Sequence, residues 1–196
     1  MTLSRLRRQH PYLWLLTFIL LLTGARVTAQ PATPVDPMLL ASLTHAMAAD
    51  DGFEDRFEAQ VWLVQMSGRL TRRIPNEQER LDLLRAVHRE SKRLDLDPQL
   101  VLALIQVESN FDRFALSHAG ARGYMQVMPF WTREIGRPDD NLFDLETNIR
   151  YGTTILAHYL QRERGDLTPA LARYNGSYGQ TWYPERVFNA WERAWR

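Results

Sequence analysis

The chain has 196 residues, 45% of them hydrophobic, and contains no cysteine. This composition suits one compact domain with a packed core, and it excludes a disordered chain, a disulfide-stabilised scaffold and thiol catalysis. The chain carries 24 basic and 23 acidic side chains. Four of the basic ones precede residue 30, so the remainder has 20 against 23 and a net charge of −3, which argues against nucleic acid as a partner.

Residues 1–29 have the pattern of a secretory signal peptide. Three arginines (Arg5, Arg7 and Arg8) precede an apolar run over residues 12–22, and Ala29 closes a small-residue site. The run is shorter than the about 20 apolar residues that a membrane-spanning helix needs. We therefore predict export to the periplasm with cleavage after Ala29, with a retained N-terminal anchor as the alternative. We expect no lipid anchor, because lipidation would require a cysteine.

Residues 30–80 are predicted to form a proline-rich leader and a helical extension. The leader is QPATPVDP at residues 30–37, and from residue 38 to residue 93 apolar side chains recur at helical spacing. The inward positions predicted here are Phe53, Phe57, Val61, Leu63, Val64, Leu81, Leu84 and Val87. We find no motif for chemistry in this stretch and assign it a supporting role or a partner surface.

Four further helices are predicted in the rest of the chain, and no alternating strand pattern of useful length is present. The predicted boundaries are Asp97–Pro98 for the start of the first helix, Asp144 to Gly165 for the second, Thr168 to Gly176 for the third, and Pro184 for the start of the fourth. Aspartate suits the N-cap, proline the first turn, and glycine the residue after a helix. The chain is therefore predicted to be mainly α.

Glu108 is an acid on the apolar face of the first of these helices, where it continues a stripe formed by Leu100 and Leu104. Burial disfavours an ionised carboxylate and can raise the pKa of a glutamic acid from about 4.3 to around 6. A protonated glutamic acid can donate to a leaving oxygen, as glycosidic cleavage requires. The alternative is a structural glutamate, solvated or paired with Arg113 or Arg122.

The loop after this helix combines glycine with a polar side chain among apolar ones. GARG at residues 120–123 allows backbone to approach a ligand closely, and YMQVMP at residues 124–129 presents the Gln126 amide between apolar neighbours. This mixture suits a saccharide. The chain's histidines, including His45, His88, His118 and His158, have no metal-ligand spacing, so we predict no metal and no other cofactor.

Four segments resemble, in the family's order, the motifs of the family 1 lytic murein transglycosylases of soluble (SLT) type, which are related to goose-type lysozymes. The segments are ESNF (108–111), ALSHAGARGYMQVMP (115–129), NLFDLETNIRYGTTIL (141–156) and ALARYNGS (170–177). The resemblance covers roughly residues 85–190. It implies a mainly α fold with one lysozyme-like catalytic domain, which we place at residues 81–196 after the helical extension.

The resemblance implies a function and a set of site residues. The function is that of a peptidoglycan lytic transglycosylase, which cleaves the MurNAc–GlcNAc β-1,4 bond without water and leaves 1,6-anhydro-MurNAc ends on the glycan strands. The implied residues are Glu108 as the catalytic acid and base, and Ser117, Gln126, Met128, Tyr174 and Asn175 as substrate-binding residues. Tyr174 would hydrogen-bond Glu108 or the substrate acetamido group. Cell-envelope or secretion-system partners stay open.

The chain departs from the family pattern at several positions. Tyr124 replaces a leucine, Arg173 replaces the alanine before Tyr174, and Gly176-Ser177 replaces Ala-Gly. Trp131 and Trp182 are predicted either to lie in the core or to stack on sugars.

Two other functions remain open at this point. One is a lysozyme-type hydrolase, which would use a second acid such as Asp112, Asp139, Asp140 or Asp144. The other is a non-catalytic peptidoglycan-binding protein.

Overall fold

A computed structural model describes residues 56–196, with side chains from residue 60 onward. The predicted signal peptide, the leader and the positions Phe53 and Phe57 lie outside these described side chains. The described part consists of seven α-helices and a terminal π-helix. They are α1 (Arg56–Leu70), α2 (Glu77–Arg93), α3 (Pro98–Ser109), α4 (Trp131–Ile135), α5 (Leu145–Arg162), α6 (Leu167–Asn175), α7 (Trp182–Ala190) and the π-helix (Trp191–Trp195).

Aspartate side chains begin three of these helices. Asp97 accepts a hydrogen bond from the backbone N–H of Gln99 at 2.7 Å, which confirms the predicted start of α3. Asp144 caps α5 in the same way. The cap of α6 is Asp166, so this helix begins at Leu167, two residues before the start that a cap at Thr168 would give.

The predicted start of the last α-helix was wrong by two residues, because α7 begins at Trp182 rather than at Pro184. Proline is tolerated inside the first turn, where the backbone N–H groups have no intrahelical acceptor. The short helix α4 was not predicted. It is a single turn with no side-chain cap, and it carries too few residues for a periodic pattern.

Helix α3 is the most enclosed element. Residues 100–105 are all buried, which means that α3 is surrounded on all sides rather than packed through one stripe. It packs against α2, α7 and the π-helix. Full burial of each large aliphatic side chain contributes about 1.5–3 kcal/mol, so the core fixes the helix that carries Glu108.

The inward face of α1 differs from the prediction. Val61 and Val64 are 51% and 38% exposed, whereas Leu63, Met66 and Leu70 are completely buried. These three leucine and methionine positions are spaced i, i+3 and i+7, which is the stripe that α1 turns toward α2.

Helix α2 agrees with the prediction, because Leu81, Leu84 and Val87 are buried. It begins after Asn76, which caps it by accepting from the N–H of Glu79 at 2.9 Å. The predicted domain boundary between residues 80 and 81 therefore lies inside a continuous helix.

Extended structure in residues 56–196 is limited to two isolated bridges, between Leu116 and Arg122 and between Arg122 and Val127. Both lie in the loop between α3 and α4, so the prediction of a mainly α chain is confirmed. Within the same residues, no helix is both long enough and apolar enough to cross a bilayer.

Candidate active site

Glu108 lies in the last turn of α3 and is half-buried. The hydroxyl of Tyr183 donates a hydrogen bond to Glu108 Oε1. Burial raises the pKa of Glu108 from 4.5 to about 7, while the Tyr183 hydrogen bond and the charge of Arg186 act in the opposite direction. A carboxyl with this pKa is populated in both protonation states near neutral pH, so it can first donate and then accept a proton.

Tyr183 and Arg186 are site residues that sequence reasoning missed. Tyr183 is 2% exposed, and Val187 and Ala190 continue its buried face along α7. The i, i+4 and i+7 spacing was a usable signal, because a tyrosine on an inward stripe must find a partner for its hydroxyl. The identity of that partner had no signal, since Glu108 is 75 residues away.

The chain turns sharply after Glu108. Asn110 and Phe111 both have positive φ, at 49° and 67°, which is unfavourable for a residue with a Cβ. Phe111 is 4% exposed, and its ring packs 5.4 Å from that of Trp195. Next to Glu108, Ser109 Oγ donates to the carbonyl of Tyr124 at 2.7 Å. The end of α3 is therefore tied to the loop that follows.

Ser117 and Gln126 both brace this loop. Ser117 Oγ accepts from the N–H of Ala121 at 3.0 Å. Gln126 Nε2 donates to the carbonyls of Ala115 and Gly123, at 3.1 and 3.0 Å. Hydrogen bonds within the loop thus occupy the Gln126 amide nitrogen. The amide oxygen Oε1 is the atom of this side chain that can accept a hydrogen bond from a ligand.

Asn148 on α5 holds the loop from behind. Its Oδ1 accepts from the N–H of Met125 at 2.8 Å, and its Nδ2 donates to the carbonyls of Arg122 and Leu142 at 2.8 and 2.7 Å. A Cβ on Gly123, whose φ is +73°, would lie 2.5 Å from Asn148 Nδ2. The motif containing Asn148 was recognised from the sequence, but this clamping role was not.

The helix α2 also supports the loop, through Tyr124. This tyrosine is completely buried, and its hydroxyl donates to Glu79 Oε1 at 2.7 Å. Burial and the neighbouring Glu79 both raise the pKa of Tyr124. The replacement of the family's leucine by tyrosine is therefore matched by an acid from the preceding helix.

Tyr174 does not hydrogen-bond Glu108. Its hydroxyl donates instead to the backbone carbonyl of Met125 at 2.7 Å. Burial raises the pKa of Tyr174, and the nearby charge of Glu108 raises it further, so the two groups are close. Asn175 ends α6 and is exposed, and Met128 is half-buried at the end of the loop.

Three of the four aspartates considered as a second acid are engaged elsewhere. Asp112 accepts from the N–H of Phe114 at 2.8 Å, and Asp144 accepts from the N–H of Thr147 at 2.9 Å. Asp140 accepts from the hydroxyl of Tyr151 at 2.5 Å and pairs with Arg137. Across residues 56–196, no group of three or more acidic, histidine or cysteine side chains is arranged to hold a metal ion.

Known proteins match this part of the chain. Residues 85–191 match the family model described as the Transglycosylase SLT domain. Over 99 residues the chain is 38% identical to the membrane-bound lytic murein transglycosylase F of Desulfosudis oleivorans, which covers 47% of this chain and 21% of that protein. It is 37% identical over 90 residues to the transglycosylase of Enterobacteria phage PRD1, covering 46% of this chain and 33% of that protein.

The chain spans about a fifth to a third of the length of the curated relatives it matches. Among solved structures, the lytic transglycosylase Slt of Pseudomonas aeruginosa covers 83% of this chain and 34% of its own, with 21% identity and a TM-score of 0.44. The family model covers more than half of the chain and confirms the resemblance in the four motifs. The chain belongs to the Transglycosylase SLT family.

Proposed function

We propose that the protein is a peptidoglycan lytic transglycosylase that cleaves the β-1,4 bond between MurNAc and GlcNAc and leaves 1,6-anhydro-MurNAc ends. The observation that carries the proposal is Glu108, a single carboxyl whose pKa is raised to about 7 by burial and whose Oε1 accepts a hydrogen bond from Tyr183. The names of the relatives, which are lytic murein transglycosylases, support the same substrate.

In the first step, protonated Glu108 donates its proton to the oxygen that leaves the MurNAc anomeric carbon. The glycosidic bond breaks as the oxygen of the 2-acetamido group attacks that carbon, as in substrate-assisted glycosidases. Because the pKa of Glu108 is about 7, a large fraction of the enzyme holds this proton at neutral pH.

In the second step, ionised Glu108 takes the proton from the 6-hydroxyl of the same sugar. The oxygen of that hydroxyl attacks the anomeric carbon, the acetamido oxygen leaves it, and the 1,6-anhydro ring closes. Tyr183 stabilises the carboxylate between the two steps by donating to Oε1. Intramolecular attack has an effective molarity of about 10⁵–10⁸ M when the groups are aligned, so water is not needed as the nucleophile.

Five further residues are proposed to bind the glycan strand. Gln126 Oε1 would accept from a sugar hydroxyl, and the exposed amide of Asn175 would both donate and accept. The Tyr174 hydroxyl donates to the backbone carbonyl of Met125, and a lone pair of the hydroxyl oxygen would accept from an acetamido N–H. Ser117 and Met128 would line the groove beside the loop that Ser117 closes.

The positions of the aspartates favour the transglycosylase over a hydrolase. A hydrolase of the usual kind needs a second carboxylate to activate water or to act as nucleophile. Asp112, Asp140 and Asp144 each accept hydrogen bonds that hold turns or helix starts. Removing them from those roles would cost stability, which supports a mechanism with one carboxyl.

We also propose a periplasmic location, with residues 1–29 as a cleaved signal peptide and residues 81–196 as the catalytic domain. The substrate named for the relatives is murein, which lies outside the inner membrane, and this supports export. Sequencing the N-terminus of protein isolated from the cell envelope tests the cleavage. A mature start at Gln30 is expected, and an intact Met1 would contradict it.

The proposed activity is tested by digesting purified murein with the protein and measuring the masses of the released muropeptides. Products that end in 1,6-anhydro-MurNAc are one water lighter than those of a hydrolase. The Glu108→Gln variant serves as the control. It is expected to release 1,6-anhydro products far more slowly than the unsubstituted protein. Murein that is bound but not cut by the unsubstituted protein would contradict an enzymatic function.

A further inference from the structure

Two large aromatic side chains are exposed where α6 leads into α7. Tyr178 is 57% exposed and Trp182 is 44% exposed. Leaving aromatic surface in water forgoes the hydrophobic free energy that its burial would release. Both rings nevertheless contact neighbouring side chains: Trp182 contacts Tyr183 and Gln180, and Tyr178 contacts Arg173.

Trp182 lies directly beside the residue that holds Glu108. Its ring meets the ring of Tyr183 edge to face, with centroids 5.8 Å apart and planes at 86°. Trp182 Nε1 donates to Gln180 Oε1 at 2.6 Å at the protein surface. The catalytic carboxyl, Tyr183 and Trp182 therefore form a continuous row of contacts that ends at an exposed aromatic surface.

Tyr178 is supported from one side. The guanidinium carbon of Arg173 lies 3.6 Å from the centroid of the Tyr178 ring, which is a cation–π contact. Arg173 is in turn paired with Glu163, and both of these side chains are mostly buried. The guanidinium of Arg173 thus covers one face of the Tyr178 ring, and the solvent-exposed surface of Tyr178 is the remainder of the ring.

These supports coincide with positions where the chain departs from the family motif. Arg173 stands where the motif has alanine, and Gly176-Ser177 stands where it has Ala-Gly. Gly176 and Gly179 have φ values of 81° and 86°, and these conformations turn the chain on both sides of Tyr178. Arg173 and the loop that carries Tyr178 therefore depart from the family motif.

We infer that Trp182 and Tyr178 form a saccharide-binding subsite, the aromatic subsite, which stacks on the apolar faces of sugar rings in the strand bound at Glu108. This inference rests on the proposed function. A pyranose of a β-1,4 strand presents C–H groups on its ring face, and aromatic rings offer matching flat apolar surface. Because both rings contact neighbouring side chains, sugar binding costs less conformational entropy than it would with unsupported rings.

The inference is tested by measuring the affinity of the full chain for a β-1,4-linked N-acetylglucosamine tetramer by titration calorimetry. The Glu108→Gln substitution is present in all samples, so that binding is measured without turnover. Trp182→Ala is expected to weaken binding about 10-fold or more, which is the size of a strong interface residue. Trp182→Phe keeps an aromatic face and is expected to stay within about 3-fold.

Two further variants make the result specific. Tyr178→Ala is expected to weaken binding as well, and it keeps the inference testable if Trp182→Ala fails to fold. Val61→Ala is the control, because Val61 is an exposed apolar residue of α1. Equal affinity for the tetramer in the Trp182→Ala, Tyr178→Ala and Val61→Ala samples would overturn the aromatic subsite. A Glu108→Gln protein with both rings intact that does not bind the tetramer would also overturn it.

The failure of the subsite and the failure of the proposed function give different results. With Glu108 restored, Trp182→Ala is expected to raise KM for murein while leaving kcat within about 2-fold, because stacking acts on ground state and transition state alike. A protein that binds the tetramer through Trp182 but releases no anhydro product would contradict the transglycosylase activity and keep the subsite. Normal KM in Trp182→Ala together with anhydro products would overturn the subsite alone.

Discussion

Tyr183 donates its hydroxyl hydrogen bond to Glu108 across two helices, α7 and α3, that pack together in the core. The bond lowers the pKa of Glu108, whereas burial raises it more, and the net result is a pKa of about 7. Tyr183 thus offsets part of the effect of burial on the proton affinity of the carboxyl.

Tyr183→Phe should raise the pKa of Glu108 above about 7, because the substitution removes a donor to the carboxylate. The protonated acid is then populated to higher pH, so the alkaline limb of the pH–kcat profile should move upward. We expect kcat at its optimum to fall by about 10-fold, since each 1.36 kcal/mol of lost carboxylate stabilisation is tenfold. A profile measured from pH 5 to pH 9 tests this. If Tyr183 only supports the core, the variant would melt earlier with its alkaline limb unmoved.

Glu108→Gln should stabilise the fold at alkaline pH. The folded pKa of Glu108, about 7, lies above its ordinary 4.5, so its favourable contribution is complete below about pH 4.5 and is lost as pH rises through 7. Above that, the buried carboxylate costs on the order of 2–3 kcal/mol, allowing for partial solvation. Glutamine carries no charge and avoids this cost.

Urea unfolding of both proteins at pH 4.5 and pH 8 measures the difference. The glutamine variant should gain stability over the unsubstituted protein at pH 8 and lose most of that gain at pH 4.5. Comparing the two proteins at the same pH cancels other titrating groups, such as His88, whose pKa is lowered to about 4 mainly by burial. An equal difference at the two pH values would contradict the raised pKa.

Tyr174→Phe should lower both stability and turnover. The hydroxyl donates to the Met125 carbonyl, and losing a hydrogen bond of this kind costs about 1 kcal/mol. The Met125 carbonyl belongs to the peptide bond that joins Met125 to Gln126. Loosening this peptide would misplace Gln126 against the substrate, so we expect kcat to fall several-fold as well. Melting temperature and kcat on one preparation test this. A variant with unchanged melting and reduced kcat would indicate that the hydroxyl serves the substrate instead of the loop.

Asn148→Asp should destabilise the protein by about 3 kcal/mol or more, because a buried carboxylate replaces the donor of two hydrogen bonds. Asn148 is 1% exposed, so water cannot replace the lost donor. Asn141→Asp is the matched control, since Asn141 accepts from the N–H of Phe143 in an exposed turn and an aspartate keeps that acceptor. Urea unfolding of both variants should separate them clearly. Similar losses would contradict the clamping role of Asn148.

Local signals in the sequence were sufficient where one residue determines a local structure. Asp97 and Pro98 predicted the start of α3 because cap and helix are adjacent, and the stripe from Leu100 predicted that the apolar surroundings would raise the pKa of Glu108. The start of α6 was missed by two residues because Asp166 and Thr168 are both competent caps.

Contacts between residues far apart in the chain could not be predicted from the sequence. Tyr183, Asn148 and Glu79 contact the site region from 75, 23 and 45 residues away, and composition does not specify such pairs. The prediction for Val61 and Val64 was wrong for a related reason. Which stripe of α1 faces inward depends on α2, and both candidate stripes of α1 contain apolar residues.

The most direct test of the central proposal is to digest murein in water enriched in heavy oxygen and to measure the mass of each new MurNAc end. The account predicts 1,6-anhydro ends that contain no heavy oxygen, because the 6-hydroxyl of the sugar closes the ring, and no product when Glu108 is replaced by glutamine. Reducing ends that carry the heavy oxygen, or undiminished release of product by the Glu108→Gln variant, would contradict it.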